Sequence, residues 1–330
     1  MRVKPYAPAD RERWEAFVAD APGATLHHTR RFLEYHGERF EDCSVLCEDG
    51  NDTLVAVLPA ARDPKNPTKV VCHPGATVGS LVFRKAHSLR IADEVLKSVL
   101  AWYVEQGMST FLYKTTPQHF MSQPVALDQY LLWRFGAKLA GMDIWTVIDL
   151  NVRSQLMKDK REALRRAARA GLTIGRETGN AVYADFHAIL AGNLDRRYDS
   201  RPAHTAAELI DLAKRLADRQ HLWIVRNQRQ EMVGGLWVLR HQEDIWHAQY
   251  IATNPEGRAD MAADLLFSTA ADAAKATGAR YFSFGASSVG MGGDLKKPLF
   301  DFKQGFGGGT VCHLFFELDL RNWSPPAGLL

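Results

Sequence analysis

Lys303 is the residue whose surroundings most demand a chemical explanation. It lies in Phe300-Asp-Phe-Lys-Gln-Gly-Phe306, hemmed by Phe300, Phe302 and Phe306. Positive charge offered to a developing oxyanion or to a donor phosphate would give such a lysine its reason. Just upstream, the alternating run Tyr281-Phe-Ser-Phe284 enters a glycine- and serine-rich loop, Gly285-Ala-Ser-Ser-Val-Gly-Met-Gly-Gly-Asp294. A strand that ends in a polar loop exposes its last side chains and amides, so such junctions commonly build ligand sites. Ser287 and Phe302 therefore join Lys303 as candidates for substrate contact.

A second group lies on Asp244-Ile-Trp-His-Ala-Gln-Tyr-Ile-Ala-Thr-Asn254. Strand alternation sends Ile245, His247, Gln249 and Ile251 to one face and Trp246, Ala248 and Tyr250 to the other. His247 or Tyr250 can assist proton removal from an attacking amine, and Gln249 can contact substrate; satisfied core residues would show the same pattern. Asn193-Leu-Asp-Arg-Arg-Tyr-Asp-Ser-Arg-Pro202 adds arginines around a tyrosine, and Arg197, Tyr198 and Arg201 suit a carboxylate or phosphate. Lys158, Arg161, Arg165 and Arg169 fall within about 80° of one another on a helical projection, with Leu156, Ala163, Leu164 and Ala167 opposite. That basic face reads either as a solvated surface or as a track for a polyanion such as tRNA or a lipid pyrophosphate.

Regular elements must position these groups. Amphipathic helices are expected over 11–19 and 29–40, then a hairpin of 43–48 and 53–61 across Asp49-Gly50-Asn51-Asp52. A bridge at 63–67 leads to a helix over 88–106 and a strand over 110–113. The second half repeats that order: helices over 158–170, 181–195 and 206–220, a meander of 221–226, 231–241 and 245–252, a helix over 259–277 and the strand at 281–284. The expected fold class is α/β (α+β), with two acetyltransferase-like domains over 1–150 and 151–330. Each would be a mixed, mainly antiparallel sheet flanked by helices.

The 330 residues exceed one typical core, and 46% hydrophobic with 24% charged residues is ordinary for a globular chain. The start lacks the apolar core of a signal peptide and no apolar run spans a membrane, so a cytoplasmic protein is expected. Cys43, Cys47, Cys72 and Cys312 have no metal-ligand spacing and read as reduced core residues; no metal is expected. The positive excess sits in the second half, with 24 Lys+Arg against 20 Asp+Glu beyond residue 150 and 17 against 18 before it. There is no G-x-S-x-G, P-loop, His-Glu-x-x-His or dinucleotide fingerprint.

Three stretches carry a family resemblance: Lys158-x-Lys-Arg-x-x-Leu-Arg-Arg-Ala-x-x-x-Gly-Leu172, Tyr281-Phe-Ser-Phe-Gly-Ala286 and Phe302-Lys-Gln-Gly-Phe-Gly307. With them, residues 151–320 resemble the FemAB-type branch of the GNAT acetyltransferase superfamily, particularly relatives beside exopolysaccharide and exosortase systems. The first half resembles it more loosely, through Ala24-Thr-Leu-His-His-Thr29 and Val55-Ala-Val-Leu-Pro59. The resemblance implies transfer of an acyl or aminoacyl group to an amine, with acyl-CoA or aminoacyl-tRNA as co-substrate and no permanently bound cofactor. It further implies that Lys303 binds or stabilises the reacting groups.

Two departures stand beside it. The usual Asp-Phe-Gly strand end is Ser283-Phe-Gly285, and the turn Asn254-Pro-Glu-Gly-Arg-Ala-Asp-Met-Ala-Ala263 lacks the second glycine of a coenzyme A loop while adding Glu256 and Asp260. No heptad insert supplies the coiled-coil arm of some tRNA-dependent members. Expected partners are a small-molecule, glycan or peptide amine, with tRNA or a peripherally met lipid-linked substrate as further options. The alternative from another class is a non-catalytic acetyltransferase fold that binds an anionic glycan, lipid carrier or RNA.

Overall fold

The computed structural model describes residues 1–84, 88–152, 155–198 and 201–326, with 196–198 described by backbone alone. The chain falls into two compact units. One comprises Met1–Asp143, Ser288–Asp294 and the chain from Cys312 on; the other comprises Ile144–Ser287 and Leu295–Val311.

In the first unit, β1 (Arg2–Pro5) and α1 (Arg11–Asp20) precede α2 (Arg30–Leu33), which continues only as a kinked 3-10 stretch. The helix expected over 29–40 is thus one α-turn. β2 (Val45–Glu48) and β3 (Leu54–Leu58) form the antiparallel hairpin, its turn tied by Asp49 Oδ1 accepting the amides of Asn51 and Thr53. The stretch expected as a bridge is a second hairpin, β4 (Ala61–Asp63) with β5 (Asn66–Val71). β6 (Val82–Phe83) completes a sheet of order β1-β2-β3-β6. α3 (Leu89–Glu105), capped by Ser88, buries Val95, Leu96, Val99, Leu100 and Tyr103, the face its periodicity predicts. β7 (Thr110–Lys114) runs parallel to β5 through three residue pairs, and α4 (Leu127–Arg134) follows.

β8 (Lys138–Asp149) gives its residues from Ile144 to the second unit. Next come α5 (Lys158–Arg169), β9 (Thr173–Arg176), α6 (Asn180–Tyr198) and α7 (Ala206–Arg215). The meander is β10 (Gln220–Arg226), β11 (Met232–Gln242) and β12 (Ile245–Thr253). The single helix expected over 259–277 is two: α8 (Pro255–Ala259) and α9 (Ala262–Ala276). β13 (Tyr281–Ala286) and α10 (Lys297–Gln304) end the unit. The strand order is β8-β13-β12-β11-β10-β9, with β12/β13 its parallel pair. Small residues Ala270, Ala271 and Ala274 let α9 lie close on the sheet, where Leu266 and Phe267 meet the same core as Leu236, Trp246 and Phe282.

The chain does not end structurally near residue 309, where the loop and glycine exit suggest its last folded segment. β14 (Gly309–Asp319) follows and pairs antiparallel with β7 through Phe315–Asp319. On it Cys312 is exposed, unlike the buried Cys43, Cys47 and Cys72, so the core reading fails for that cysteine. The second unit is the mixed, mainly antiparallel sheet with helices that the element order predicts, whereas the first divides its strands between the antiparallel sheet β1-β2-β3-β6 and the run β4-β5-β7-β14; each unit has one parallel pair.

Candidate active site

The site in the second unit begins where two strands part. β12 and β13 pair through Ile245↔Tyr281, Trp246↔Phe282 and His247↔Ser283 and no further. Beyond that point β12 stays paired with β11 through Tyr250↔Trp237, and β13 with β8 through Gly285↔Thr146 and Ala286↔Trp145. Main-chain groups on the facing sides of the gap are therefore released from the ladder, and such groups need other partners. A bulge between Ser283 and Gly285 turns β13 at this place. Gly285 adopts φ +72°, and a Cβ there would stand 3.2 Å from His247 Cε1, so both backbone and space call for glycine.

Lys303 closes on this bulge from α10. Its Nζ donates to the carbonyls of Gly285 at 3.1 Å and Ala286 at 2.5 Å, using two of three ammonium hydrogens. The side chain is buried, and burial pulls its pKa down to about 7. Lys303 thus holds a charge poised near neutrality beside the opened strand end. His247 is also buried, its Nδ1 3.2 Å from Ser283 Oγ and its ring stacked on Trp145 at 5.4 Å. Burial, then the charge of Lys303, lowers His247 to about 3, which makes it a neutral ring and a weak proton acceptor. Two oxygens near these strand ends are buried without a partner: Ser287 Oγ and, on β12 past the last pair, Gln249 Oε1. Buried polar atoms are rarely left so in a native fold.

The aromatic setting inferred for Lys303 belongs to a different lysine. Lys160 Nζ lies 3.7 Å from the Phe302 ring centre and 4.9 Å from that of Phe306, and donates to Asp264 Oδ1 at 3.0 Å. A Cβ on Gly305 would come within 2.6 Å of Lys160 Cε, so that glycine gives the lysine its passage. Phe302 packs with Phe267 and Phe306 beneath this cation. Phe302 thereby serves the joint of α5, α9 and α10 and is half-buried there. Lys160 was discoverable: at about 100° per residue it falls amid Leu156, Ala163, Leu164 and Ala167, a lysine centred on an apolar stripe.

Tyr250, farther along β12, works with a residue that sequence reasoning passed over. Its hydroxyl is 2.6 Å from Nδ1 of the buried His204, its ring stacks on Trp237, and burial raises its pKa so that it keeps its proton. His204 lines a cleft of about 480 Å³ with His187, Asp195, Arg201 and Thr205. Arg201 is placed in that cleft, while the side chains of Arg197 and Tyr198 lie outside the described residues. The Thr205-x-x-Glu208 capping box that starts α7 was legible as a helix start, but nothing local tells that the preceding imidazole reaches β12.

The turn after β12 makes no open phosphate cradle. Asn254 Oδ1 accepts the Gly257 amide at 2.8 Å, Asn254 O accepts that of Arg258, and a Cβ on Gly257 would meet Val233 O at 2.2 Å. Glu256 takes a hydrogen bond from Asn227, and the buried carboxylate of Asp264 occupies the first turn of α9, where an anion would sit. On α5, Lys158, Arg161, Arg165 and Arg169 are all exposed; Lys158 is 3.8 Å from Glu162, and Arg161 is bonded to Leu156 O. Among the described residues no group of three His, Cys, Asp or Glu could hold a metal ion, and no helix is long and apolar enough to cross a membrane.

Residues 154–303 match the acetyltransferase (GNAT) domain family, the span that holds the parted strands, the cleft and Lys303. The fold is similar along nearly its whole length to the crystal structure of FemX, with TM-score 0.67, 11% identity and 97% of each chain covered. It is similar to L-PGS from Bacillus licheniformis, with TM-score 0.62, 15% identity and 99% of this chain and 94% of that one covered. A tandem GNAT protein from the clavulanic acid biosynthesis pathway aligns with TM-score 0.54, 10% identity and 97% and 98% covered. No curated protein matches the sequence. At these identities the solved structures speak for the fold alone: the chain shares the fold of FemX, and its residues 154–303 form a domain that matches the acetyltransferase (GNAT) family.

Proposed function

We propose that the second unit transfers an activated acyl or aminoacyl group to the amine of a small, glycan-borne or peptide-borne acceptor in cell-wall or polysaccharide biosynthesis. The observation that carries this reading is the parting of β12 and β13 beside the desolvated Lys303. The amine nitrogen attacks the donor carbonyl carbon, a C–N bond forms, and the carbonyl oxygen becomes an oxyanion. The third ammonium hydrogen of Lys303 and the amides freed at the gap stabilise that charge. Collapse breaks the C–O or C–S bond to the carrier. Tyr250, which keeps its proton, donates to the leaving oxygen or sulfur, and the His204 imidazole bonded to it takes up the amine proton. His247 acts as a neutral spacer that sets the Gly285 bulge, and Ser287 Oγ and Gln249 Oε1 contact the bound substrates.

The first unit, which covers most of residues 1–150, is assigned a supporting role. Its own parallel pair ends beside Lys114, but that ammonium donates to the carbonyls of His73, Pro74 and Ala76 and has no hydrogen left to give. The filled turn at Asn254–Asp264 favours a donor held by something other than a pyrophosphate cradle, and the exposed arginines of α5 suit an RNA-borne ester. The domain family and the poised Lys303 favour catalysis over simple binding of an anionic glycan, lipid carrier or RNA.

The test incubates the full chain with acetyl-CoA, longer acyl-CoA species or charged tRNA and a panel of amines, and follows N-acylated products by mass spectrometry. Product formation from any donor that Lys303→Met suppresses supports the reading. Ligand binding without any transfer across the panel rejects it.

A further inference from the structure

The cleft between α6 and α7 holds a charge pattern that acyl transfer alone does not require. Most of its polar groups are already committed within the fold. His187 Nε2 is 2.9 Å from His204 O, and His204 Nδ1 is 2.6 Å from the Tyr250 hydroxyl. The amide and hydroxyl of Thr205 both donate to Glu208 Oε2, at 2.7 and 2.9 Å. Two groups remain, Asp195 and Arg201. They have opposite charge and line the same cleft, yet among the described residues neither makes an ion pair or hydrogen bond. Each of the ion-paired arginines nearby in this unit has a carboxylate at hand, as Arg226 has Glu177 and Arg215 has Asp211. The rest of the wall is small and mainly apolar, with Ala191, Gly192, Pro202 and Ala206.

We propose that this cleft binds a small zwitterion, its ammonium on Asp195 and its carboxylate on Arg201, so that the acceptor side of the site takes an amino acid or the end of a short peptide. A planar guanidinium matches a carboxylate in bidentate geometry, and a carboxylate accepts from an ammonium. One ligand bearing both charges satisfies both groups, whereas a simple amine or a simple acid leaves one of them unmet. A volume of about 480 Å³ lies within the range of small-ligand sites. His204, on the wall of this cleft, is bonded to the Tyr250 hydroxyl, which links the cleft to the proposed proton donor. Calling the ligand an acceptor rests on the acyl-transfer reading; its binding does not.

Isothermal titration of the full chain with L-alanine, L-lysine and alanyl-alanine, against ethylamine and propionate, tests the inference. At least one zwitterion is expected to bind at least about tenfold more tightly than either singly charged probe. Arg201→Gln should reduce it to the level of ethylamine, and Asp195→Asn to the level of propionate. Both side chains are exposed, so the variants are expected to keep the wild-type melting temperature, which the same samples report. The free amino acids and the dipeptide separate the two sources of the shared chemistry. Absence of binding by every zwitterion, equal binding of ethylamine, or unchanged affinity in both variants overturns the proposal. Zwitterion binding with no acyl transfer from any donor would reject the proposed reaction and leave this site standing. Acyl transfer by a chain that binds no zwitterion would do the reverse.

Discussion

Replacing Lys160 with methionine removes the cation that joins α5 to α9 and α10, and the structure lets the cost be worked out. The Nζ–Oδ1 distance to Asp264 is 3.0 Å, and both side chains are 7% exposed. At an effective dielectric near 20 the attraction is roughly 5–6 kcal/mol, but taking both charges from water offsets most of it. The pair as a whole therefore contributes little, whereas breaking it leaves a buried carboxylate without a partner, which costs about 3–5 kcal/mol. Loss of the contact over Phe302 and Phe306 adds up to about 2 kcal/mol. Lys160→Met should then lower the melting temperature of the second unit by roughly 2–4 °C per kcal/mol. The sign of the pH dependence follows from Asp264, whose pKa burial already raises. Without Lys160 that carboxyl takes up a proton on folding, so the deficit should be smaller at pH 5 than at pH 8. The double variant Lys160→Met/Asp264→Leu should recover most of the loss. Thermal unfolding of the three variants at both pH values is the assay. A loss below about 1 kcal/mol, or a double variant no better than the single one, would refute the reasoning.

Three further outcomes are expected. Gly285→Ala forces a side chain into φ +72° against His247 and should cost about 1–3 kcal/mol with a loss of turnover; unchanged thermal stability would count against the tight bulge. Burial holds Lys303 at about 7 in the fold, while an unfolded lysine titrates near 10.4, so between those values the unfolded chain binds more protons. Stability relative to Lys303→Met should therefore rise with pH across that window by at most about 1.4 kcal/mol per unit, and a flat difference between pH 7 and 9 would contradict the burial of its charge. Reversing Arg165 and Arg169 to Glu should lower the salt needed to elute the protein from heparin far more than reversing the exposed Lys65 and Arg134; equal shifts would make α5 a solvated face.

What the chain revealed in advance divides along physical lines. α3, α5 and the meander β10-β11-β12 were legible because a single periodicity runs through each, and the hairpin β2/β3 because its turn carries its own side-chain bonds. β14 was missed although its alternation is present, because a glycine-rich exit precedes it and its partner β7 lies far off in sequence. The same distance hides the composition of the two units, each built from segments separated along the chain, which no local signal encodes. In the candidate site the motif points to Lys303, yet the aromatic cage it suggests belongs to another lysine. Adjacency in sequence placed Lys303 among the phenylalanines, whereas on α10 it turns to the carbonyls of β13 and leaves those rings to Lys160. The link from His204 to Tyr250 spans 46 residues and exists only once α7 is packed, so only the fold discloses it.

The central claim is that Lys303 stabilises the reacting acyl group at the parted strands, and single-turnover acyl transfer tests it most directly. With the donor and amine that the product screen identifies, Lys303→Met should lower the rate constant by about a hundredfold or more while the donor still binds and the fold persists. A rate constant within a few-fold of wild type, in a variant that folds and binds normally, would contradict the account.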